Sequence, residues 1–266
     1  MGAERVGEQD GRGTSVLRNG IRVLAAFSVE EPVLGVTEIA RQVELHKSTV
    51  SRILATLELD ELVERDADTG RFRLGLGVIG LAGPLLANLD VRRVAYPALQ
   101  DLTHRTGETS ALMVWNGHES VVAEQVASPK HVKHTAAIGT RYDTVASSSV
   151  RVFLAEIAEP ETDRMLQRGL FRAGADDQSR SRIQHRLREV RDAGYAINDG
   201  ETSVEEVGIC APVRDHRDLA VAAVLLSAPR FRTSSQLLHP LAETVRDVAR
   251  EVSARLGTPA RRRNPH

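Results

Sequence analysis

Residues 46–57 read HKSTVSRILATL, a run that sets a lysine, an arginine and four small hydroxyls among branched apolar side chains. On a helix turning about 100° per residue, Val50, Ile53, Leu54 and Leu57 share one face, and Ser48, Ser51, Arg52, Ala55 and Thr56 fall on or near the other. The first face packs. The second suits a major groove, where short polar side chains near a helix's N-terminal half let the backbone approach the base edges. Lys47, Ser48, Thr49, Ser51 and Arg52 meet that demand. Arg52 can offer a bidentate fork to guanine or phosphate, and the hydroxyls reach bases or backbone. Plainer readings stand beside these: helix capping for Ser48 and Thr49, and a surface ion pair with Glu38 or Glu44 for Arg52.

A second candidate lies at Ser147, Ser148 and Ser149, just before an apolar run through Val150, Arg151 and Phe153. Hydroxyls and free backbone N–H groups at a helix start can receive an anion such as a carboxylate. One serine would satisfy plain N-capping, so three favour a ligand. A metal site is a weaker option. His131 and His134 with Cys210 or Asp199 are ligand types that zinc accepts. On a strand, however, the odd spacing of the two histidines turns their rings to opposite faces, so no metal and no cofactor are assigned.

The chain has 266 residues, enough for two cores. Its 35 basic and 36 acidic residues give a net charge of -1, so any nucleic-acid site must be a local patch. Residues 14–76 hold eight Lys/Arg against ten Asp/Glu, and the acids gather at 58–68, away from the 46–52 surface. The single cysteine, Cys210, excludes an internal disulfide, and no leader pattern opens the chain, which suits a cytoplasmic protein. The apolar run at 74–89 falls short of a membrane span and carries Gly-Pro, so no membrane partner is expected.

The positioning elements follow from periodicity. Leu17, Ile21 and Leu24 space a first helix that Pro32 ends; a second starts with Thr37 as N-cap; the 46–62 helix is third. Turn residues Asp66 to Gly70 then lead to Phe72 and Leu74, alternating with Arg71 and Arg73 as in a half-buried strand. Three helices and a hairpin make the order of a winged helix-turn-helix. Thr37 joins its candidate DNA contacts, and Arg65, Arg71 and Arg73 of the hairpin suit phosphates or the minor groove.

From residue 90 the pattern changes. A helix ending at Gly107 precedes ETSALMVW and ESVVAEQV, which flank the turn Asn116-Gly117. A strand-like stretch at 132–138, the serine run and its helix, a basic helix at 179–193, the strands GYAIND, VGICAPV and LAVAAVLLS, and an amphipathic helix at 235–255 follow. Hairpin-linked strands among helices indicate an α+β fold with a largely antiparallel sheet. The expected division is a disordered tail at 1–13, a DNA-binding domain at 14–76, a linker helix at 77–90, a second domain at 91–256 and a tail at 257–266.

VTEIARQVELHKSTVSRILATLELDELVERDADTGRFRLG, GTRYDTVASSSVRVFLA, GYAINDGETSVEEVGICAPVRD and AVLLSAP together resemble the IclR family of bacterial transcription regulators, over residues 15–256. The resemblance implies a winged helix-turn-helix joined by a linker helix to a GAF/profilin-like effector domain. It further implies a homodimer or homotetramer that binds pseudo-palindromic operator DNA, as a repressor, under control of a small carboxylate-bearing effector such as an organic or aromatic acid. Carried over by motif, the pocket comprises Ser147, Ser148, Ser149, Val150, Asp199, Cys210 and Ser227. The chain departs from the family pattern where Asp143, Val145, Val150 and Arg151 replace the family's Pro, His, Gly and Lys, and Leu225 stands at a frequent serine. Two other classes compete with this reading. An enzyme with Ser148 or Cys210 as nucleophile lacks a G-x-S-x-G elbow, a P-loop or a dinucleotide fingerprint, so no catalytic residue is assigned. A sensor that no longer reads DNA is disfavoured by the intact Lys47 to Arg52 surface.

Overall fold

The computed structural model describes residues 7–28, 31–88, 90–171 and 180–258, in two compact units, Met1–Asn88 and Leu89–His266. In the first, α1 (Gly7–Leu24), α2 (Val36–Gln42) and α3 (Lys47–Leu59) precede the antiparallel hairpin β1 (Val63–Arg65) and β2 (Phe72–Leu74), and α4 (Gly77–Asn88) follows. Val23, Phe27, Leu34, Ile39, Val50, Leu54, Val63 and Phe72 form the core of this unit. Leu34 exchanges both backbone hydrogen bonds with Phe72 (2.8 and 2.9 Å), giving the hairpin a third edge. The hairpin turn is built by Asp66, whose carboxylate accepts from the N–H groups of Thr69 (2.8 Å) and Asp68 (3.1 Å).

Three expectations for this unit need correction. Residues 7–13, read as part of a tail, are helical backbone continuous with α1. Leu17 and Ile21, taken as the inward stripe, are exposed, and Val23 and Phe27 are buried instead. Both stripes have helical spacing, and only the partner surface decides between them. Thr37 is not an N-cap: Gly35, two residues earlier, caps α2, and the Gly35 N–H donates to the Glu38 carboxylate at 2.7 Å.

The second unit is a six-stranded antiparallel sheet in the order β5-β4-β3-β8-β7-β6. Its strands are β3 (Thr109–Trp115), β4 (Ser120–Val126), β5 (Arg141–Tyr142), β6 (Ala196–Asp199), β7 (Glu206–Arg214) and β8 (Ala220–Pro229). On one face, α5 (Asp90–Thr106) and α9 (Ser235–Arg255) cover Leu112, Val207, Ile209, Val224 and Leu226. On the other, α6 (Ser148–Glu156) and α8 (Arg180–Ala193) cover Ala111, Met113, Cys210, Ala223 and Leu225. This is strict strand alternation, with both faces buried. The helix α7 (Glu159–Gln167), with Pro160 in its first turn, was not foreseen.

Residues 132–138 form no strand. Val132 and Ile138 are exposed, and the Ala136 N–H donates to the Gln125 side chain (2.8 Å) rather than to a neighbouring strand. His131 and His134 therefore lie in irregular chain, and among the described residues no group of three or more His, Cys, Asp or Glu is placed to hold a metal. The expected tail at 257–266 falls largely outside the described residues. No helix among the described residues is long and apolar enough to cross a membrane.

Candidate functional site

The helix α3 divides as its periodicity requires. Val50 and Leu54 are fully buried, and Lys47, Ser48, Ser51, Arg52 and Thr56 are exposed, with Thr49 half-buried. Its cap is His46, whose Nδ1 accepts from the Ser48 N–H at 3.3 Å and lies 2.8 Å from the Ser48 hydroxyl. Neither Ser48 nor Thr49 caps the helix. Arg52 forms no ion pair among the described residues, and Glu38, one of the partners considered for it, is taken by Arg71 at 2.6 Å.

The hairpin arginines differ in commitment. Arg71 reaches both Glu38 and the Val33 carbonyl (3.1 Å), bolting the hairpin to the first turn of α2. Arg73 pairs with Glu64 at 2.8 Å on the exposed side, and the Arg65 guanidinium lies over the Phe72 ring, 5.8 Å from its centroid. Thr37 is exposed in the first turn of α2.

Glu38 is held below the ordinary carboxylate range, first by the Gly35 N–H and then by Arg71. Its contribution to the first unit is therefore present above the unfolded-state value and lost as pH falls through the lower folded value. Acid titration followed by circular dichroism should show Glu38→Gln to be less sensitive to acidification than the parent; equal sensitivity would remove Glu38 as a linking group.

In the second unit, α6 starts at Ser148 with Ser147 as its cap residue, without a capping side-chain bond. The Ser147 and Ser149 hydroxyls bond each other at 3.0 Å. The N–H groups of Ser148, Ser149 and Val150 and the Ser148 hydroxyl make no hydrogen bond among the described residues, although all three residues are buried. The Val150 side chain joins the apolar cluster under α6, so only its backbone faces the helix start. An N-terminus with three open N–H donors and no acidic side chain in its first turn favours an anion.

The sheet beneath supplies one register row: Asn198 on β6, Gly208 on β7, Ser227 on β8 and Thr109 on β3 are paired in succession. A Cβ at Gly208 would stand 3.2 Å from the Ser148 hydroxyl and 3.7 Å from the Asn198 amide, so the missing side chain is what lets the start of α6 approach the sheet this closely. Ser227 donates to Glu206 at 3.2 Å, and Glu206 pairs with no cation among the described residues. Tyr142 is pushed up to about 12, by burial first and by the nearby Glu206 carboxylate second. Asn198 turns inward and holds the following turn, accepting from the Glu201 N–H at 2.8 Å.

Of the pocket residues expected from sequence, Ser147, Ser148, Ser149, Val150 and Ser227 come together. Cys210 lies on the same face one row deeper, fully buried, with burial pushing its thiol well above the usual range. It is a protonated floor residue and a poor nucleophile. Asp199 does not join them. It is paired with Val207, on the opposite face, and is held by Arg230 at 2.7 Å. Asn198, one residue earlier, takes the inward place, because a single step along a strand changes the face.

Sequence reading also missed a buried clamp. Arg151, in the first turn of α6, donates to Glu201 (3.1 Å) and to the carbonyls of Ala146 (3.2 Å) and Ile197 (2.7 Å). Arg186 grips the other side of Glu201 with bonds of 2.6 and 2.8 Å. Burial lowers the Arg151 guanidinium to about 10, which leaves it charged at neutral pH. The clamp fixes the loop carrying Ser147 to the turn after β6. A cavity of ≈ 460 Å³ opens elsewhere on this unit, but Glu108 in its wall is already neutralised by Lys130 and Arg232, each at 2.7 Å.

Comparison with known proteins bears on both sites. Residues 16–67 match the model described as the IclR helix-turn-helix domain, and residues 84–254 the one described as bacterial transcriptional regulator IclR C-terminal. The HTH-type transcriptional regulator XynR of Escherichia coli (strain K12) is 26% identical over 92% of this chain and 98% of its own. The HTH-type transcriptional repressor AllR of the same strain is 29% identical over 94% and 93%. Among solved structures, an IclR homolog from Microbacterium hydrocarbonoxydans complexed with 4-hydroxybenzoate is 27% identical, covering 91% of this chain and 98% of that one with a TM-score of 0.77.

Proposed function

Because this chain belongs to the IclR family of bacterial transcriptional regulators, we propose that it represses transcription by binding a pseudo-palindromic operator as a homodimer, or as a homotetramer built from two dimers. It is a DNA-binding regulator controlled by a small-molecule effector. The observation that carries the DNA reading is the division of α3, with Val50 and Leu54 in the core and Arg52 exposed and without an ion pair among the described residues.

Lys47, Ser48, Thr49, Ser51 and Arg52 are assigned to the major groove, and Thr37, Arg65 and Arg73 to backbone or minor groove. Arg71 is assigned chiefly to holding the hairpin, given its bond to Glu38. Dimerisation is supported by apolar side chains that a lone first unit leaves in water: Val16, Leu17 and Ile21 on α1, and Ile79 and Leu81 on α4. The relative bound to 4-hydroxybenzoate supports an organic or aromatic acid as effector, received by the open N–H groups of α6. The protein is assigned to the cytoplasm and to regulation without catalysis, a reading that the inaccessible Cys210 thiol supports.

The test is affinity selection of sheared source DNA at near-physiological salt, followed by sequencing. Recovery of a single two-fold symmetric site is expected, and uniform recovery would overturn specific reading. On the recovered site, Arg52→Ala should weaken binding by about 1 to 3 kcal/mol with the fold intact. Unchanged affinity would remove Arg52 from the interface.

A further inference from the structure

The helices α7 and α8 face each other through two polar stripes. Glu159 and Asp163 stand four positions apart on α7, and Arg180, Gln184 and Arg188 are spaced by four on α8, so each set lies on one side of its helix. All five line a cavity of ≈ 300 Å³ in the second unit. Elsewhere on this unit arginines close onto acids, as Arg186 does on Glu201 and Arg232 on Glu108. Here neither carboxylate and neither guanidinium forms an ion pair among the described residues, so both signs line one cavity without meeting. Gln184 sits between them, 5% exposed, its Nε2 donating to the Asp163 carboxylate at 2.7 Å and to the Glu159 carbonyl at 3.5 Å. Its Oε1 is buried and has no hydrogen-bond partner among the described residues. Turning the amide over would set that oxygen against the Asp163 carboxylate, so the orientation is fixed and an acceptor is left open.

A carboxylic acid alone would engage the arginines but bring a further negative charge to Glu159 and Asp163, and an amine alone would do the reverse. A divalent cation would face two guanidiniums, and no group of three or more His, Cys, Asp or Glu among the described residues is placed to hold one. A small molecule with an ammonium and a carboxylate completes both stripes through charge-assisted hydrogen bonds, and its N–H groups supply the donor that Gln184 lacks. The cavity stands at the small end of the roughly 300–1,000 Å³ of ligand pockets, which suits one amino acid rather than a peptide.

We infer that the cavity between α7 and α8 is a small-molecule site distinct from the α6 face, and that it takes a free amino acid: the ammonium toward Asp163 and the Gln184 Oε1, the carboxylate toward Arg180 and Arg188. It shares no residue with the start of α6. The helix that forms one wall also carries Arg186, so a ligand there holds the element that grips Glu201.

The experiment is a melting series on the full-length protein, followed by the fluorescence of Trp115, with alanine, leucine, serine, glutamine, aspartate and arginine each at about 10 mM, enough to saturate a site with a Kd of about 1 mM. The amino acid that stabilises most is then titrated calorimetrically beside glycine betaine, which carries both charges but no N–H, and beside acetate and methylamine, which carry one charge each. It should bind saturably and about tenfold or more tightly than any of these three. Asp163→Asn and Arg188→Gln, at a half-buried and an exposed position, should each weaken it by about tenfold or more and leave the melting curve of the free protein in place. Gln184→Met should remove the advantage over betaine.

Saturable binding of none of the six amino acids would overturn the assignment and leave the four charges as a solvated surface. Unchanged affinity in Asp163→Asn or Arg188→Gln would place the ligand elsewhere on the protein and overturn it as well. Betaine binding as tightly as the amino acid, or an advantage over betaine that persists in Gln184→Met, would remove the hydrogen bond to Gln184 and with it the recognition of an amino acid.

Discussion

Glu201→Ala is expected to destabilise the second unit by about 3 kcal/mol, because it strips a buried guanidinium of its counter-charge. Arg151 has a side chain only 4% exposed and retains its charge at neutral pH, with burial lowering it to about 10. In the variant it would keep the carbonyls of Ala146 and Ile197 but face Arg186 with nothing between them. Repulsion between the two arginines would add to the desolvation cost. Denaturation followed by Trp115, the single tryptophan, reports on this unit alone. Adding Arg151→Met in the same chain should restore part of the loss, since a similar apolar volume needs no partner. A loss below about 1 kcal/mol for Glu201→Ala would mean that water already screens the pair, as at exposed salt bridges.

Gly75→Ala should be comparably severe in the first unit, for a different reason. Gly75 follows β2, and a Cβ there would stand 2.2 Å from the Glu61 carbonyl oxygen and 3.0 Å from its carbon. Both are backbone atoms, so no side chain can rotate away. The neighbouring Gly77 is similarly enclosed, 2.8 Å from the carbonyl oxygens of Asp60 and Glu61. The methyl must push the end of the hairpin off the α3–β1 connection, breaking the Gly75 N–H bond to Leu62 (2.9 Å), at a cost of about 2 to 3 kcal/mol. Circular dichroism on melting should show the first unit unfolding earlier, and operator affinity should fall as the hairpin shifts. Retention of both would mean that the backbone yields more easily than close packing allows.

What could be read in advance was what local chemistry decides. The two faces of α3 follow from a 3.6-residue period, the hairpin from Asp66 and Gly70, and the sheet strands from alternation bounded by turns. What escaped was decided by partners distant in sequence. Leu17 and Val23 both lie on helical stripes of α1, and only the packed unit buries Val23 and exposes Leu17. Asp199 and Asn198 differ by one position, and the pairing with β7 chooses which faces α6. Arg151, Arg186 and Glu201 are separated by up to 50 residues and carry no spacing signature, so their convergence appears only in the folded chain. Glu206 belongs to the same class. As a letter in SVEEVGIC it resembles any surface acid, and its meaning comes from Ser227 and Tyr142 beside it.

Cys210, described above as the floor beneath α6, also makes the chain its own clock. Its thiol is the only one in the sequence and has no exposure in the folded state, so an alkylating reagent must wait until β7 separates from its covering. The labelling rate of the native protein therefore measures how often that part of the sheet opens. A ligand seated on the row above Cys210 stabilises the closed form by mass action and slows the reaction in proportion to its occupancy. A single unlabelled sulfur thus offers a readout of effector binding that requires neither DNA nor an engineered probe.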